Sequence, residues 1–338
     1  MLNRIADGDP DNGFEKVCVV IPAFNCEDTI ARAVHSALAQ SEAAEVIVVD
    51  DASADLTVQM ALSADDGSGR LKVIPLSANG GPARARNVAI EHSVSPIIAL
   101  LDSDDIFLAG RLAWLLGSDD WDLIADNVAF VRGDPEHAGS FPPDSKTRML
   151  SIEDFIAGSI PRFGRPGAEL AFLKPLMRRE FLTKHAIRYN DDVRLGEDYL
   201  LYLQALAHGA RFKLSRRCGY VAVSRSNSTS ASFRTTSIEA LVRGADEILG
   251  SGILTGKPRL LAERQRQYQA RRAAHRKFLD TKKAHGLRAA LRGVENPSQL
   301  FWIGAQVLVD KSKFSSLMVK ILKNKNDRRL LLPETLFQ

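Results

Sequence analysis

Three carboxylates, Asp102, Asp104 and Asp105, stand within four residues directly after the apolar run Pro96 to Leu101. Ionised carboxylates are costly to bury unpaired, so the run reads as a buried strand and the acids as its exposed carboxyl end. In an open α/β sheet, that end is where ligands bind. Oxygen donors this close together suit a hard divalent cation, Mg²⁺ or Mn²⁺, which usually brings a phosphate with it. Taken alone, the same acids would equally suit the start of a helix.

The elements before them decide between these readings. Val17 to Pro22, Glu45 to Asp51 and Leu71 to Leu76 read as strands, with helical spacing over Glu27 to Gln40, Ala54 to Ala64 and Pro82 to His92. Such alternation predicts right-handed crossovers and a mainly parallel sheet. Each strand ends in polar residues: Asn25 with Glu27, Asp50-Asp51-Ala52-Ser53, and Asn79-Gly80-Gly81 with Arg84, Arg86 and Asn87. Parallel strands place all four endings on one sheet edge. Further on, Leu123 to Val131 reads as a strand and Arg132 to Arg148 as a loop. Ser151 to Asp154 has capping-box form. Arg178 to His185 and Asp198 to His208 read as helices, and Arg211 to Leu214 and Tyr220 to Val223 as short strands. The pattern is helical from about Ser237, with a long basic helix over Arg259 to His285.

In order, Val20 to Asn25, Val48 to Ser53, Asn79 to Asn87, Leu101 to Asp105 and Gly196-Glu197-Asp198 resemble the motifs of glycosyltransferase family 2. Together with Arg178 to Leu182, the likeness covers about residues 16 to 230. It implies the GT-A fold: a mixed, mainly parallel sheet flanked by helices, here with a helical basic C-terminal extension. It implies an N-terminal tail (1–15), a catalytic domain (16–236) with a donor half to about 125 and an acceptor half beyond, and a C-terminal region (237–338). The activity it implies is inverting transfer from a UDP-sugar, with Mn²⁺ or Mg²⁺ between the donor phosphates. In this reading Asp104 is the direct metal ligand, and Asp102 lies near the ribose or the metal. Asp105 is either an acid behind them or a helix cap. Pro22 and Phe24 flank the base, Glu27 binds the ribose, and Asp51 accepts from the uracil or the ribose. Arg84, Arg86 and Arg225 offer donors to phosphate. Asp198 is the base that takes the acceptor's hydroxyl proton. The general look is that of bacterial exopolysaccharide transferases of the succinoglycan type, with glucose as the sugar and a lipid-linked saccharide as acceptor. Processive synthases carry Gln-x-x-Arg-Trp and membrane helices, which are not found here.

Composition adds a charge asymmetry. Residues 257 to 329 hold 19 basic and 5 acidic residues, a net of +14, within a chain whose total is +4. Such a segment meets anionic surfaces, so peripheral contact with the inner face of the cytoplasmic membrane is expected. Three cysteines without paired spacing suit a cytoplasmic protein without disulfides or zinc. The polar start, Met1 to Lys16, has the form of neither a signal peptide nor an anchor. Two other readings remain. A nucleotidyltransferase would want a Gly-rich loop with Lys or Arg where Pro22-Ala23-Phe24-Asn25 stands. A nucleic-acid-binding protein could act through the basic segment, but no recognisable motif accompanies it, and no nucleic acid is expected as partner.

Overall fold

A computed structural model of the chain describes residues 16–133, 135, 141, 144, 146–160, 170–224, 235–294, 297–311 and 328–337. The tail 1–15, Arg225 and the amphipathic stretch 314–322 lie outside the described residues.

Four parallel strands form the first half of the sheet, in spatial order β3-β2-β1-β4. They are β1 (Val17–Ala23), β2 (Ala43–Asp50), β3 (Leu71–Pro75) and β4 (Ile97–Leu100). The crossovers carry α1 (Ile30–Leu38), α2 (Thr57–Ser63) and α3 (Pro82–Glu91). Strands covered by helices on both faces need continuous apolar runs. β1 and β4 meet that need, with Val17 to Ile21 and Ile97 to Leu101 all buried. In α1, Ile30, Ala33, Val34, Ala37 and Leu38 form the inward stripe.

The second half of the sheet is mixed. It adds β5 (Ile106–Phe107), α4 (Arg111–Leu116), β6 (Leu123–Arg132), β7 (Thr147–Met149), α5 (Ile152–Gly158), β8 (Leu176–Arg178), α6 (Arg179–Lys184), α7 (Glu197–Ala207) and β9 (Phe212–Ser224). β8 runs antiparallel between β4 and β6, whereas β9 runs parallel to β6. Ser151 caps α5, accepting from the Asp154 N–H at 3.1 Å. The two short strands expected around Arg211 and Tyr220 are one strand. The polar interval Ser215-Arg216-Arg217 stays extended because its backbone is paired, with shifts of register against β6. The helix expected from Arg178 starts one residue later, because Arg178 closes β8 against Ile97.

Helices α8 (Thr235–Gly250), α9 (Gly256–Arg292) and α10 (Pro297–Lys311) follow. α9 loses helical geometry at Gly286 (φ 82°), next to the expected end at His285. α8 docks on α7 where Gly244 lacks a side chain: a Cβ there would run into Leu200 Cδ1. The last described residues are not part of the helical extension. β10 (Arg328–Leu330) pairs antiparallel with β6, and the Asn127 side chain brackets Leu332, accepting from its N–H at 2.7 Å and donating to its carbonyl at 3.0 Å. Among the described residues, no helix is long and apolar enough to cross a membrane.

Candidate active site

The carboxyl ends of β1, β2 and β4 meet on one edge, and hydrogen bonds stitch the loops that leave them. Asn25 donates its N–H to Ser53 Oγ at 2.9 Å and accepts from the Ala54 N–H at 2.9 Å. Cys26 N–H donates to Thr57 Oγ1, and Glu27 accepts from the Leu56 N–H, each at 2.8 Å. Asn25 (φ 48°) and Ala52 (φ 60°) turn through the left-handed region, a strained conformation that concentrates at functional sites. Phe24 is 47% exposed beside half-buried Pro22.

Asp51 is buried and accepts from the Gly80 and Gly81 N–H groups, each at 2.7 Å. The glycines serve that turn: Gly81 sits at φ 91°, and a Cβ on Gly80 would run into the exposed Arg84 side chain. Asp51 thus holds the Asn79-Gly80-Gly81 turn, whatever else it accepts. Its neighbour Asp50 accepts from the Ser53 N–H through Oδ2, while its Oδ1 is buried without a partner among the described residues.

Beyond β4 the three acids diverge. Asp105 is buried; it accepts from the Tyr220 hydroxyl at 2.7 Å and from the Val223 N–H at 2.9 Å. Burial, then Asp104 and Asp102, push its carboxyl well above the usual range. Asp105 is therefore not a helix cap but a pin between this loop and β9. The Tyr220 hydroxyl also accepts from the Asp102 N–H at 3.1 Å. Asp104 is half-buried on the same loop, and its backbone carbonyl accepts from Arg32.

Asp102 faces two cations. Its Oδ1 lies 2.8 Å from Arg86, and its Oδ2 lies 2.9 Å from Lys174. Burial opposes its ionisation, but Lys174 and Arg86 outweigh it and hold the carboxyl at about 2. Arg86 also pairs with Glu197 at 2.6 Å and stands 3.5 Å from Asp198. Lys174 pairs with Asp198 Oδ2 at 2.8 Å, and the Tyr189 hydroxyl donates to Asp198 Oδ1 at 3.0 Å. Asp102, Lys174, Asp198 and Arg86 thus close a ring, with Glu197 attached to Arg86. Glu197 and Asp198 open α7, where the positive end of the helix dipole favours acids. Burial raises the Glu197 carboxyl above its ordinary value, Arg86 opposes the rise and Asp198 adds to it.

The oxygen donors Asp102 and Asp104 fit a hard cation, which is commonly held by one or two carboxylates plus substrate phosphates. Among the described residues, no group of three His, Cys, Asp or Glu side chains converges as a self-sufficient metal site. A cation here would complete its shell with water and phosphate.

The model of Glycosyl transferase family 2 matches residues 18–161. The Succinoglycan biosynthesis protein ExoU of Rhizobium meliloti (strain 1021) is 46% identical over 305 residues, 88% of each chain. The chain belongs to glycosyltransferase family 2. A UDP-Glc:alpha-D-GlcNAc-diphosphoundecaprenol beta-1,3-glucosyltransferase of Escherichia coli, WfgD, is 34% identical over 121 residues, 36% of this chain and 46% of its own. Crystalline S. aureus TarS 1–349 in complex with UDP-GlcNAc shares the GT-A fold, with a TM-score of 0.57 at 21% identity over 86% of this chain and 79% of that one. Membership sets the nucleotidyltransferase reading aside.

The glycosyltransferase gathers Pro22, Phe24, Glu27 and Asp51 at the ends of β1 and β2. It joins Arg86, Asp102 and Asp198 in one ion-pair ring and leaves Arg84 exposed on α3. Lys174 and Tyr189 escaped sequence reasoning. Lys174 lies in Phe172-Leu173-Lys174-Pro175, which carries no periodic signal. Tyr189 had one indirect pointer, the Asn that follows Arg86. Asn87 brackets the Tyr189 backbone, donating to its carbonyl at 2.9 Å and accepting from its N–H at 3.1 Å.

Proposed function

We propose that this transferase moves glucose from UDP-glucose, with inversion, to a lipid-diphosphate-linked saccharide during exopolysaccharide assembly at the cytoplasmic face of the membrane. The observation that carries the reading is the meeting of Asp102, from the donor-side strand β4, with Asp198, from the start of α7, across one lysine. In this reading the sugar and the incoming hydroxyl meet beside these two carboxylates. The acceptor oxygen forms its bond to the anomeric carbon as the bond from that carbon to UDP breaks. The electron pair leaves with UDP, and the proton passes to Asp198. No covalent nucleophile takes part.

Asp104, with Asp102 beside it, would hold Mn²⁺ or Mg²⁺; when bound, the ion supplies positive charge to the leaving diphosphate. Pro22, Phe24, Glu27 and Asp51 line the base and ribose end, and Arg84 offers donors to the phosphates; the same role is assigned to Arg225 from the sequence alone. Arg86 serves the phosphates through the carboxylates it organises. UDP and glucose are supported by the names of TarS's ligand and of WfgD's activity, the lipid diphosphate by WfgD, and exopolysaccharide by ExoU. Membrane contact is supported by the net charge of +14 over residues 257 to 329.

The test is thermal stability against UDP, GDP, CDP and dTDP, with and without Mn²⁺. A ligand at ~100 times its dissociation constant stabilises by about 2.7 kcal/mol. A Mn²⁺-dependent shift with UDP alone is expected. Asp104→Ala should abolish it, and Asp198→Asn should keep it while losing transfer. A shift with another nucleotide alone, or equal binding and activity in both variants, overturns the reading.

A further inference from the structure

The ring contains one residue to which neither the motifs nor the family likeness gives a role, Lys174. Its ammonium lies 2.9 Å from the donor-side Asp102 and 2.8 Å from the acceptor-side Asp198, whereas the other cation of the ring, Arg86, stands at 2.8 and 3.5 Å. Its side chain is only 6% exposed. Burying an ammonium is expensive, and a buried ion pair seldom repays the expense in stability. Burial would lower the Lys174 pKa, but Asp102 and Asp198 reverse this and hold the group charged.

The backbone that carries Lys174 is itself fixed. Its carbonyl accepts from Arg111 at 2.6 Å, and the preceding carbonyl, Leu173, accepts from the Tyr202 hydroxyl at 2.8 Å. Arg111 is locked in turn by Asp126 at 2.7 Å, a pair with side chains 0% and 1% exposed. Tyr202 belongs to α7, the helix that begins with Glu197 and Asp198. The segment is therefore tied to the core and to the base's own helix before its side chain reaches the ring.

Asp198 is correspondingly constrained. Lys174 engages Oδ2 and Tyr189 engages Oδ1, and each carboxylate oxygen keeps a further lone pair. A proton acceptor held from two sides points in one direction. Catalysis depends on that direction, because a misplacement of about 1 Å can cost about 10²-fold in rate.

We infer that Lys174 is a positioning residue for transfer: it sets the Asp198 carboxylate against donor-side Asp102, so that the base faces the anomeric carbon. The inference rests on the reading of Asp198 as the base.

The test uses the full chain with Lys174→Met and Lys174→Arg, each alone and with Asp198→Asn. UDP binding with Mn²⁺ is followed by calorimetry, and UDP release from UDP-glucose, with water as acceptor, gives kcat and KM per folded molecule. Lys174→Met is expected to bind UDP within about threefold of wild type, keep KM for UDP-glucose and lose roughly 10- to 100-fold in kcat. Lys174→Arg should recover part of that loss. Lys174→Met should add nothing to the loss caused by Asp198→Asn, because it acts through the same carboxylate. An unchanged kcat in Lys174→Met, or losses that multiply in the double variant, overturns the inference. Failure of the donor assignment looks different: wild type then binds UDP but releases none from UDP-glucose. The same variants are then compared on the UDP-sugar that wild type does turn over.

Discussion

Two buried ionic clusters lie on neighbouring parts of this sheet, and they are built on opposite plans. Arg111 and Asp126 form a closed pair, one charge against one, with Arg111 packed 4.4 Å from the Phe107 ring centroid. Asp126 also accepts from the Gly219 N–H at 2.6 Å. The second cluster sets three carboxylates, Asp102, Glu197 and Asp198, against two cations, Arg86 and Lys174. Its charges do not balance, and Asp102 keeps 31% of its side chain exposed. A balanced pair sealed from water serves the fold. An unbalanced cluster with a partly exposed carboxylate leaves one negative charge uncompensated.

The comparison breaks most visibly at the closed pair. Asp126→Ala strands a buried guanidinium and the Gly219 N–H, so a loss of about 3–5 kcal/mol is expected in denaturant unfolding. A loss below 1 kcal/mol would mean that water reaches the pair. Gly219→Ala tests the same packing more gently. Its Cβ would lie 2.8 Å from both Arg111 Cγ and Trp114 Cζ2 and 2.9 Å from Asp126 Oδ2. Overpacking there should cost about 1–3 kcal/mol, read as a lowered melting temperature.

The open cluster should respond differently. Glu197→Gln removes the one surplus negative charge and should change stability at neutral pH by no more than about 1 kcal/mol, in either direction. Its pH dependence sharpens the contrast. The folded pKa of Glu197 lies above its ordinary 4.5, chiefly through burial. The stability linked to it is therefore complete below pH 4.5 and declines as pH rises through the folded value. Glu197→Gln should lack that decline in melting curves taken across the range, and an identical decline in both proteins would place its source elsewhere.

The smallest effect belongs to an ordinary surface pair. Asp122 accepts from the Arg211 backbone and guanidinium, which chiefly holds its carboxyl below 3.8. Asp122→Asn should cost at most about 1 kcal/mol at pH 7. The difference should vanish as pH falls through the folded pKa, because the stability of a depressed carboxylate is present above its unfolded value and lost below.

The two clusters also mark how far the sequence could be read. β1, β2 and β4 were legible because each holds an apolar run closed by a polar end, which is local information. The same locality exposed Asp102, Asp104 and Glu197-Asp198. Lys174 stayed hidden because its meaning depends on partners 72 residues before and 24 after it, brought together by β8 running antiparallel to β4. Asp105 resembled its two neighbours in type and position, yet its carboxylate is turned to Tyr220 and Val223, and no local pattern separates a pin from a ligand. The Ser215-Arg216-Arg217 interval misled for a related reason. Its polar side chains suggest a break, but Arg217 lies on Trp114 and Arg216 on Asp144 and Glu334, so the strand continues beneath them.

The pairing of β10 with β6 has a consequence for birth on the ribosome. Asn127 waits for a partner 205 residues further along the chain. At ~5–20 residues per second, that is on the order of ten to forty seconds during which the Ala129–Val131 stretch of β6 lacks the strand that later pairs with it. An unpaired strand edge is a template for other chains. The nascent transferase should thus be most prone to stick to its siblings on a crowded polysome, late in translation and just before its final strand arrives.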